Sequence, residues 1–253
     1  MMNFGDAFKG KRVVITGAAG IMGQMLVDHF NSAGAEVCST DTTVEGLSGL
    51  AIAADLTTDA GLDRLLQNIK MEWGAPDVVV NNAAIYPSSF LLDMEVADWD
   101  QIMDINVRAP FVLMRGFSLQ MINKGIRGNF VNISSGAARK MRRTAVTYCM
   151  SKTALDRMTK GFALELAEYG IRANCLEPGF ATGSAVSNLN QEHIDRVLAA
   201  IPLGNEIDPE DVGQAALYLA SPAAKNITGT SLSVDGGNSA GTMDVYQNKK
   251  SAL

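Results

Sequence analysis

Short runs of β-branched and other apolar residues recur along the chain, and stretches with the spacing of an amphipathic helix separate them. Such runs are typical of strands buried on both faces of a parallel sheet. The predicted strands lie at residues 12–16, 36–41, 50–58, 76–84, 128–135, 171–179 and 227–237. The predicted helices lie at 24–34, 57–74, 98–122, 149–170 and 208–221, and the long third helix is expected to break near Pro110. Strands that alternate with helices predict an α/β fold.

Length and charge narrow the class of protein. The chain has 253 residues and a formal net charge of −6. This length fits one large α/β domain over residues 1–253, and the acidic balance argues against nucleic acid as the main partner. No apolar run approaches the roughly 20 residues that a membrane-spanning helix needs. The first twelve residues lack the apolar segment of a signal peptide, so secretion is not expected.

The cysteines and histidines indicate a compartment and exclude some chemistry. The three cysteines, Cys38, Cys149 and Cys175, stand far apart and without metal-ligand spacing. This usage suits a reducing cytoplasm, where we expect the protein to be located. Because His29 and His193 are the only imidazoles, we expect neither a histidine-based triad nor a metal site.

Residues 12–41 have the order of a dinucleotide-binding unit: a strand, a glycine-rich turn, a helix and a second strand that ends in an acid. The turn carries Gly17, Gly20 and Gly23, where the backbone must approach a pyrophosphate closely at the start of a helix. Asp41 would accept hydrogen bonds from the adenosine ribose hydroxyls and would repel a 2′-phosphate. The unit therefore predicts NAD rather than NADP. The alternative is an ordinary strand–turn–helix in which Asp41 is a solvated acid.

Residues 135–152 contain a candidate acid/base group. Tyr148 and Lys152 are four residues apart and would share one face of a helix, and Ser135 precedes Tyr148 by thirteen residues. A nearby fixed ammonium favours the phenolate and lowers the pKa of a tyrosine. Tyr148 could then move a proton on or off a hydroxyl group while Ser135 holds the reacting oxygen. The alternative is a surface pair on a helix.

Together these motifs resemble the short-chain dehydrogenase/reductase family over about residues 10–237. The matching residues are Thr16 to Gly23, Asn81 to Ala84, Asn106, Ser135, Tyr148, Lys152, Pro178 and Gly179. The resemblance implies a Rossmann-type doubly wound parallel sheet of about seven strands flanked by helices, which is a three-layer α/β/α sandwich. The commoner glycine pattern has its middle glycine at the place of Ile21, whereas here it comes at Gly20, as in the longer members. Without their extra C-terminal substrate domain, the chain is identified as a short member with a variant turn.

The resemblance also implies where the cofactor lies. The implied contacts are Gly17, Gly20, Ile21, Met22, Gly23, Asp41, Asp55, Leu56, Asn82, Ala83, Ala84, Tyr148, Lys152, Pro178 and Gly179. Asp55 and Leu56 would meet the adenine, although Asp55 is also explained as a loop acid before the next helix. Asn81 would steady the central strands. Ala84 replaces a more frequent glycine, a mild change.

The catalytic set implied by the resemblance is Asn106, Ser135, Tyr148 and Lys152. Tyr148 would take a hydroxyl proton while a hydride passes to NAD, and Ser135 would orient the substrate oxygen. Lys152 would lower the pKa of Tyr148 and bind the nicotinamide ribose. Asn106 would bind a water that links the lysine to solvent. A buried asparagine with a structural hydrogen bond is the alternative.

The resemblance implies roles for two further segments. Residues from about 180 to 208 would form a substrate lid, and the polar tail at 238–253 could cross a neighbouring subunit. Most members have a threonine five residues after the proline, whereas this chain has Gly183 there and Thr182 one position earlier. Members are commonly homotetramers or dimers built on the helices that hold Asn106 and Tyr148.

The segment 139–143, with the sequence RKMRR, places four cations between Ser135 and Tyr148. Arginine forks suit carboxylate, phosphate or sulfonate groups, so Arg142 and Arg143 are candidates for binding an anionic substrate. A solvated face or a subunit contact is the commoner explanation of such a run.

These observations predict an NAD-dependent oxidoreductase that acts on a small-molecule alcohol or carbonyl compound. Two alternatives belong to other classes. A ketoreductase acting on a carrier protein or small molecule would share the catalytic residues but would usually prefer NADP. A non-catalytic nucleotide sensor would keep the glycine turn without needing the catalytic residues in register.

Overall fold

The computed structural model describes residues 4–182 and 190–243. Within these ranges one sheet is formed by β1 (Arg12–Thr16), β2 (Glu36–Asp41), β3 (Leu50–Ala53), β4 (Val78–Asn81), β5 (Asn129–Ile133), β6 (Arg172–Pro178) and β7 (Ser231–Val234). The spatial order is β3-β2-β1-β4-β5-β6-β7, and every pairing is parallel. This is a doubly wound Rossmann-like sheet, so the predicted fold class is confirmed. Ligands of such sheets lie at the carboxyl ends of the strands, where the strand order reverses.

Helices connect the strands: α1 (Ile21–Ser32), α2 (Asp59–Trp73), α3 (Val96–Met103), α4 (Ala109–Lys124), α5 (Val146–Leu166), α6 (Gln191–Ala199) and α7 (Pro209–Ala220). Local sequence explains several of their ends. The Thr58 side chain accepts from Gly61 N to cap α2, and Asp208 caps α7 in the same way. Gly125, in the left-handed conformation, ends α4. No helix in the described ranges is both long and apolar enough to cross a membrane.

The hydrophobic core has two halves, one on each face of the sheet. On one face the strands pack against α2, α4 and α5, and the largest buried side chains include Leu65, Leu113 and Phe117. On the other face they pack against α1 and α7, with Phe30 and Leu217 in the centre. The two clusters make the molecule a three-layer α/β/α sandwich. Burial of apolar surface in each cluster stabilises the fold by roughly 25 cal/mol per Å². The two clusters also hold in place the edge of the sheet from which the functional loops extend.

The long helix predicted at 98–122 is divided into three parts. A π-helical turn at Asp104–Arg108 joins α3 to α4. Pro110 is the second residue of α4, which follows this turn directly. The interruption therefore precedes Pro110, and the wide turn puts Asn106 on the buried side. Single-turn π-bulges of this kind occur frequently at functional sites.

Candidate active site

The candidate site lies along the carboxyl edge of the sheet. The glycine turn follows β1, the segment Asn82–Ala84 follows β4, and Ser135 lies two residues after β5. Pro178 ends β6, and Gly179 follows it. Because these four strands are parallel neighbours in the sheet, sequence positions more than 150 residues apart are delivered to one edge.

Ser135, Tyr148 and Lys152 come together at the start of α5. Tyr148 lies in the first turn of this helix, and Lys152 follows one turn later on the same face. The Ser135 hydroxyl lies close enough to the Tyr148 phenol to lower the pKa of that phenol. Lys152 is buried, and its Nζ donates to the carbonyl oxygen of Ile133 over 2.8 Å. Its ammonium lies 5.8 Å from the centroid of the Tyr148 ring.

Burial controls the ionisation of both residues. It raises the pKa of Tyr148 above the ordinary value, although the hydrogen bond from Ser135 and the charge of Arg142 lower it in part. It also lowers the pKa of Lys152, to about 8, because the charged form loses its hydration. The net shift of the Tyr148 pKa in the chain by itself is therefore upward, opposite to the expected direction, while the contribution of Lys152 to that pKa stays a prediction. The physical reason is that desolvation dominates and the ammonium is directed at Ile133 rather than at the phenol.

Asn106 is completely buried in the π-helical turn, and its amide is fully used. Its Oδ1 accepts from Ile85 N, and its Nδ2 donates to Ile85 O and to Ser151 Oγ, all at 2.9–3.0 Å. Ser151 Oγ in turn donates to the carbonyl oxygen of Tyr148. Asn106 therefore fastens the segment after β4 to the helix that carries Tyr148. This is the structural role that the sequence left as an alternative, and a proton path through water stays a prediction.

The glycine turn has the shape that a pyrophosphate needs. Gly17 has a φ of +66°, and a Cβ there would approach Ala83 Cα to 2.8 Å. A Cβ at Gly23 would collide with the carbonyl oxygen of Gly17, so α1 can start this close to the turn only with glycine. In the described part of the chain, no side chain caps α1 and no acid lies in its first turn. Its N–H groups and positive end, with Ile21 half-exposed, thus fit an anionic group of a dinucleotide.

Asp41, the last residue of β2, is bonded to the glycine turn. Its Oδ2 accepts from Ala19 N over 3.0 Å, and its Oδ1 accepts from Thr42 N over 2.7 Å. The carboxylate therefore holds the turn in place and also adds negative charge beside it. A hydrogen bond to a ribose hydroxyl remains a prediction, and the free lone pairs of both oxygens are compatible with it.

Asp55 and Leu56, the predicted adenine contacts, follow β3. Asp55 is exposed, and its Oδ1 accepts from the backbone N–H and the hydroxyl of Thr57, which lowers its pKa. Leu56 is buried in the core on the α2 side of the sheet. The structure therefore matches the interpretation of Asp55 as a loop acid before α2. Contact of the pair with adenine is not tested and stays a prediction.

A buried amide pair joins the two central strands. Asn81 Nδ2 donates to Asn132 Oδ1 over 2.7 Å, and Asn132 Nδ2 donates to Thr159 Oγ1 over 2.8 Å. These bonds link β4 to β5 and to α5. The prediction that Asn81 steadies the central strands is confirmed.

The turn after β4 is attached to the glycine turn through Thr16. The Thr16 hydroxyl accepts from the backbone N–H groups of both Asn82 and Ala83 over 3.0 Å. Asn82 Nδ2 donates in return to the carbonyl oxygens of Thr16 and Gly17. The two turns therefore form one unit, and Ala84 is exposed beside it. No role of its own was predicted for Thr16, although its place at the end of a predicted strand is visible in the sequence.

The Pro178–Gly179 turn is held by β7. Gly179 N donates to Val234 O over 2.8 Å, and a Cβ at Gly179 would approach Asp235 Cα to 2.6 Å. The preceding residue, Glu177, is a buried acid that sequence reasoning missed. It accepts from Arg139 Nε and from Ser233 Oγ, each over 2.7 Å. The signal that could have found it is an acid inside an otherwise apolar strand.

The predicted lid and tail are described only in part. Thr182 donates from its N–H and its hydroxyl to Glu206 Oε2, and these bonds lower the pKa of Glu206. Gly183, with the following residues to 189, lies outside the described residues, so the lid at 180–208 stays a prediction. Of the tail at 238–253, only residues up to 243 are described.

The RKMRR segment divides into two pairs of cations. Arg139 forms an ion pair with Glu177, and Lys140 Nζ donates to the backbone and side chain of Asn238. Arg142 and Arg143 point the other way. The Arg142 guanidinium carbon lies 6.0 Å from the centroid of the Tyr148 ring, and that of Arg143 lies 5.3 Å from the Phe90 ring.

A second tyrosine that the sequence did not single out stands beside the candidate acid/base. The rings of Tyr86 and Tyr148 are 5.7 Å apart between centroids and tilted by 56°. Tyr86 lies in the loop after β4, and Ser89 N in the same loop donates to Thr144 O over 2.8 Å. A tyrosine in a loop of small and polar residues gives no spacing signal, because only the tertiary structure brings it to α5.

Comparisons with known proteins agree with this fold. A family model described as enoyl-(acyl carrier protein) reductase matches residues 17–239. The chain is 30% identical to a sorbitol dehydrogenase of Cereibacter sphaeroides, over 90% of this chain and 97% of that protein. It also resembles a short chain dehydrogenase of Leptospira borgpetersenii with bound NAD⁺, with a TM-score of 0.88, 26% identity and coverage of 94% and 96% of the two chains.

A third similar protein is a gluconate 5-dehydrogenase of Burkholderia cenocepacia in complex with NADP and tartrate. Its TM-score is 0.87 at 28% identity, and the match covers 95% of this chain and 98% of that one. The doubly wound sheet, the glycine turn and the paired tyrosine and lysine define a nucleotide-dependent oxidoreductase. The chain belongs to the short-chain dehydrogenase/reductase family, whose members act on alcohol and carbonyl groups.

Proposed function

We propose that this chain is an NAD-dependent dehydrogenase that moves a hydride between an alcohol or carbonyl substrate and the nicotinamide, with Tyr148 as the general acid/base. The observation that carries the proposal is the assembly of Ser135, Tyr148 and Lys152 at the start of α5. A phenol beside a serine hydroxyl and a buried lysine is a group prepared for proton transfer.

Several residues would hold the cofactor. The glycine turn and the first N–H groups of α1 suit the pyrophosphate, and Asp41 suits the ribose hydroxyls. The turn at Asn82–Ala84 and the Pro178–Gly179 turn lie on the same edge of the sheet, and Lys152 would bind the nicotinamide ribose. When bound, NAD supplies the hydride acceptor and a positively charged ring. NAD is proposed over NADP because the Asp41 carboxylate would repel a 2′-phosphate, even though similar proteins bind either.

Residues of the chain itself accept and return the proton of the substrate hydroxyl. In oxidation Tyr148, as the phenolate, takes the proton of the substrate hydroxyl, and in reduction it returns that proton to the carbonyl oxygen. Ser135 orients the same oxygen through its hydroxyl, which lies close enough to Tyr148 to lower the pKa of the phenol. Because burial raises the pKa of Tyr148, oxidation needs cations near the ring to stabilise the phenolate. Asn106 is proposed to keep α5 in register and to support the path by which the proton leaves.

The substrate proposed is an anionic hydroxy compound or the corresponding carbonyl compound. Arg142 and Arg143 are exposed and face the rings of Tyr148 and Phe90, so the guanidinium group of Arg142 lies beside the candidate acid/base and that of Arg143 belongs to the next residue of the same loop. Arginine forks bind carboxylates in two-point fashion. Arg139 of the same segment already forms an ion pair with Glu177. It is therefore a control for a cation of this segment that is not expected to bind the substrate.

The test is NADH formation with a panel of hydroxy compounds, half anionic and half neutral, repeated with NADP. We expect turnover of anionic members with NAD, and a KM about tenfold higher after Arg142→Ala or Arg143→Ala, with KM unchanged for neutral members. Tyr148→Phe should abolish turnover and leave NAD binding intact. Loss of both turnover and binding in Tyr148→Phe would contradict the acid/base role, and unchanged KM in both arginine variants would contradict the anion.

A second candidate function is reduction of a carbonyl group on an acyl carrier protein. The specific observation in its favour is 30% identity, over 90% of this chain and 97% of that protein, to a 3-oxoacyl-acyl-carrier-protein reductase of Vibrio cholerae. Carrier proteins are recognised by basic surface patches, and Arg142 and Arg143 supply two exposed cations. Turnover of acyl carrier substrates with NADP, and not of free hydroxy compounds with NAD, would select this function. Cofactor binding without any turnover would select a nucleotide sensor.

We also propose that the protein forms a homo-oligomer and resides in the cytoplasm. The oligomer is supported by exposed apolar side chains on the outer surfaces of α4 and α5, among them Phe111 and Leu164. The location is supported by the three cysteines, all of which are buried free thiols.

A further inference from the structure

Two cations flank the ring of Tyr148 at nearly equal distances. The Lys152 Nζ lies 5.8 Å from the ring centroid, and the Arg142 Cζ lies 6.0 Å from it. They come from different elements, because Lys152 belongs to α5 and Arg142 to the loop before it. The sequence motif accounts for the lysine only.

The two cations differ in the permanence of their charge. Lys152 is buried, its pKa is lowered to about 8 because burial disfavours the ammonium, and it donates to Ile133 O. Above pH 8 the lysine therefore loses the charge that would support a phenolate. A guanidinium keeps its charge throughout this range. Arg142 is exposed, so its charge carries no comparable desolvation cost.

The loop that carries Arg142 is held against the loop after β4. Ala145 N donates to Arg142 O over 3.1 Å, and Thr144 adopts a φ of +66°, which is unusual for a residue with a side chain. The Thr144 carbonyl oxygen accepts from Ser89 N over 2.8 Å and from Ser88 Oγ over 3.2 Å. These bonds determine where the backbone of Arg142 lies relative to α5.

We propose that Arg142 is a positioning residue that stabilises the phenolate of Tyr148 by its permanent charge, in addition to any contact with a substrate. The Ser135 hydroxyl, Tyr86 and Cys149 also act on the ionisation of the phenol. Ser135 favours the phenolate by its hydrogen bond, and the two remaining groups oppose it. Among these groups Arg142 is the charged side chain that lies outside α5, and its charge lowers the pKa of Tyr148. The inference rests on the proposed acid/base role of Tyr148.

The direct test follows the ionisation of Tyr148 in the full chain without cofactor or substrate. Ultraviolet difference absorbance records phenolate formation between pH 8 and pH 12, and Tyr148→Phe provides the blank for the other tyrosines. Arg142→Ala should move the Tyr148 titration upward by roughly half a pH unit to one, as expected for a charge about 6 Å away near the surface. Arg142→Lys should keep most of the wild-type behaviour until the lysine itself deprotonates. Arg143→Ala, which changes the neighbouring cation over Phe90, should leave the titration unmoved.

Salt gives an independent signature. Because Arg142 is exposed, the difference between wild type and Arg142→Ala should shrink as sodium chloride rises from 0.02 M to 1 M. Far-ultraviolet circular dichroism at each pH limits the comparison to folded protein. With a neutral alcohol and NAD, the acid limb of kcat/KM should move by the same amount in Arg142→Ala.

The possible results distinguish a failure of this inference from a failure of the proposed function. Coincident titrations of wild type and Arg142→Ala would overturn it, and so would an equal shift in Arg143→Ala or a shift that salt does not reduce. The absorbance experiment needs no substrate, so an inactive panel leaves it readable. Conversely, active dehydrogenation with an unmoved titration would retain the proposed function and remove the role of Arg142.

Discussion

The ammonium of Lys152 is hydrogen-bonded to the carbonyl oxygen of Ile133 over 2.8 Å. Ile133 is the last residue of β5, so this bond joins the end of a central strand to the helix that carries Tyr148. A lysine in this position stabilises the strand end, yet it holds its charge at a desolvation cost. The hydrogen bond between Lys152 and Ile133 therefore bears on the stability of the fold as well as on the proposed catalysis.

Replacing Lys152 by Met should remove the pH-dependent cost, in free energy of unfolding, of burying the lysine ammonium. Below pH 8 the lysine is charged in both the folded and the unfolded state, and the folded state bears the full cost of the lowered pKa, about 3 kcal/mol for a shift from 10.5 to about 8. Between pH 8 and pH 10.5 the unfolded state binds more protons, so wild-type stability rises relative to the variant. Above pH 10.5 both states are neutral and the penalty is lost.

Urea unfolding of wild type and Lys152→Met at pH 7, 8, 9 and 10 checks this prediction. The free energy of unfolding of Lys152→Met minus that of wild type should fall across the series, and turnover should be lost throughout. A constant offset is expected from the unpaired carbonyl oxygen of Ile133, roughly 1–3 kcal/mol against the variant. A difference that is flat with pH would show that the ammonium bears no desolvation cost.

The glycine turn offers a matched pair of substitutions. Gly23→Ala should destabilise the protein by about 2 kcal/mol or more, because its Cβ would collide with the Gly17 carbonyl oxygen and push α1 away from β1. Gly20 has a φ of −72°, and a Cβ there would meet Gly17 O at 3.5 Å, an ordinary contact. Gly20→Ala should therefore keep stability and weaken NAD binding by tenfold or more. Thermal unfolding and cofactor fluorescence titration measure the two effects, and equal losses of stability would refute the assignment.

The charge of Asp41 should decide the choice of cofactor. Asp41→Asn keeps an oxygen that can accept from Ala19 N, so the turn is retained while the repulsion of a 2′-phosphate is removed. The ratio of kcat/KM with NADP to that with NAD should rise by about tenfold or more. Asp55→Asn, an exposed acid after the neighbouring strand, is the control and should leave the ratio unchanged. An unaltered ratio in Asp41→Asn would mean that this carboxylate does not face the ribose.

The apolar outer surfaces of α4 and α5 should hold subunits together. The rings of Phe111 and Phe162 are in edge contact at 5.9 Å between centroids, and Leu164 on α5 is 80% exposed. Leu164→Glu should reduce the mass of the particle in solution, as measured by light scattering, because a carboxylate in an apolar interface loses hydration. Leu92, which is exposed in the loop before α3, gives the control Leu92→Glu. The same mass for wild type and Leu164→Glu would argue against this interface.

Several elements could be predicted from the sequence because their signals are local. The buried run at 12–16 became β1, and the capping residues Thr58 and Asp208 begin their helices. The four-residue spacing of Tyr148 and Lys152 implied a shared helix face, which α5 confirms. These signals depend on hydrophobic periodicity and backbone chemistry, and neither requires knowledge of distant residues.

Other features depended on residues that are far apart in the chain. The direction of the Tyr148 pKa shift could not be predicted from spacing, since burial is a property of the whole fold. The π-helical turn that buries Asn106 arises where α3 and α4 meet, and the partner of its amide, Ile85, follows β4. In the cationic segment 139–143, the ion pair with Glu177 likewise distinguishes Arg139 from Arg142 and Arg143. The sequence alone gives no reason to treat these cations differently.

The sequence by itself determined the α/β fold class, the family resemblance and the choice of Tyr148 and Lys152 as candidates for the acid/base pair, because these depend on motifs and on hydrophobic periodicity within short segments. Only the tertiary structure decided which cations face the phenol and which acid holds the glycine turn. It also decided that the ammonium of Lys152 donates its hydrogen bond to the carbonyl oxygen of Ile133. Those outcomes are set by desolvation and by distances between side chains. Both quantities exist only once parallel strands bring remote segments to one edge of the sheet.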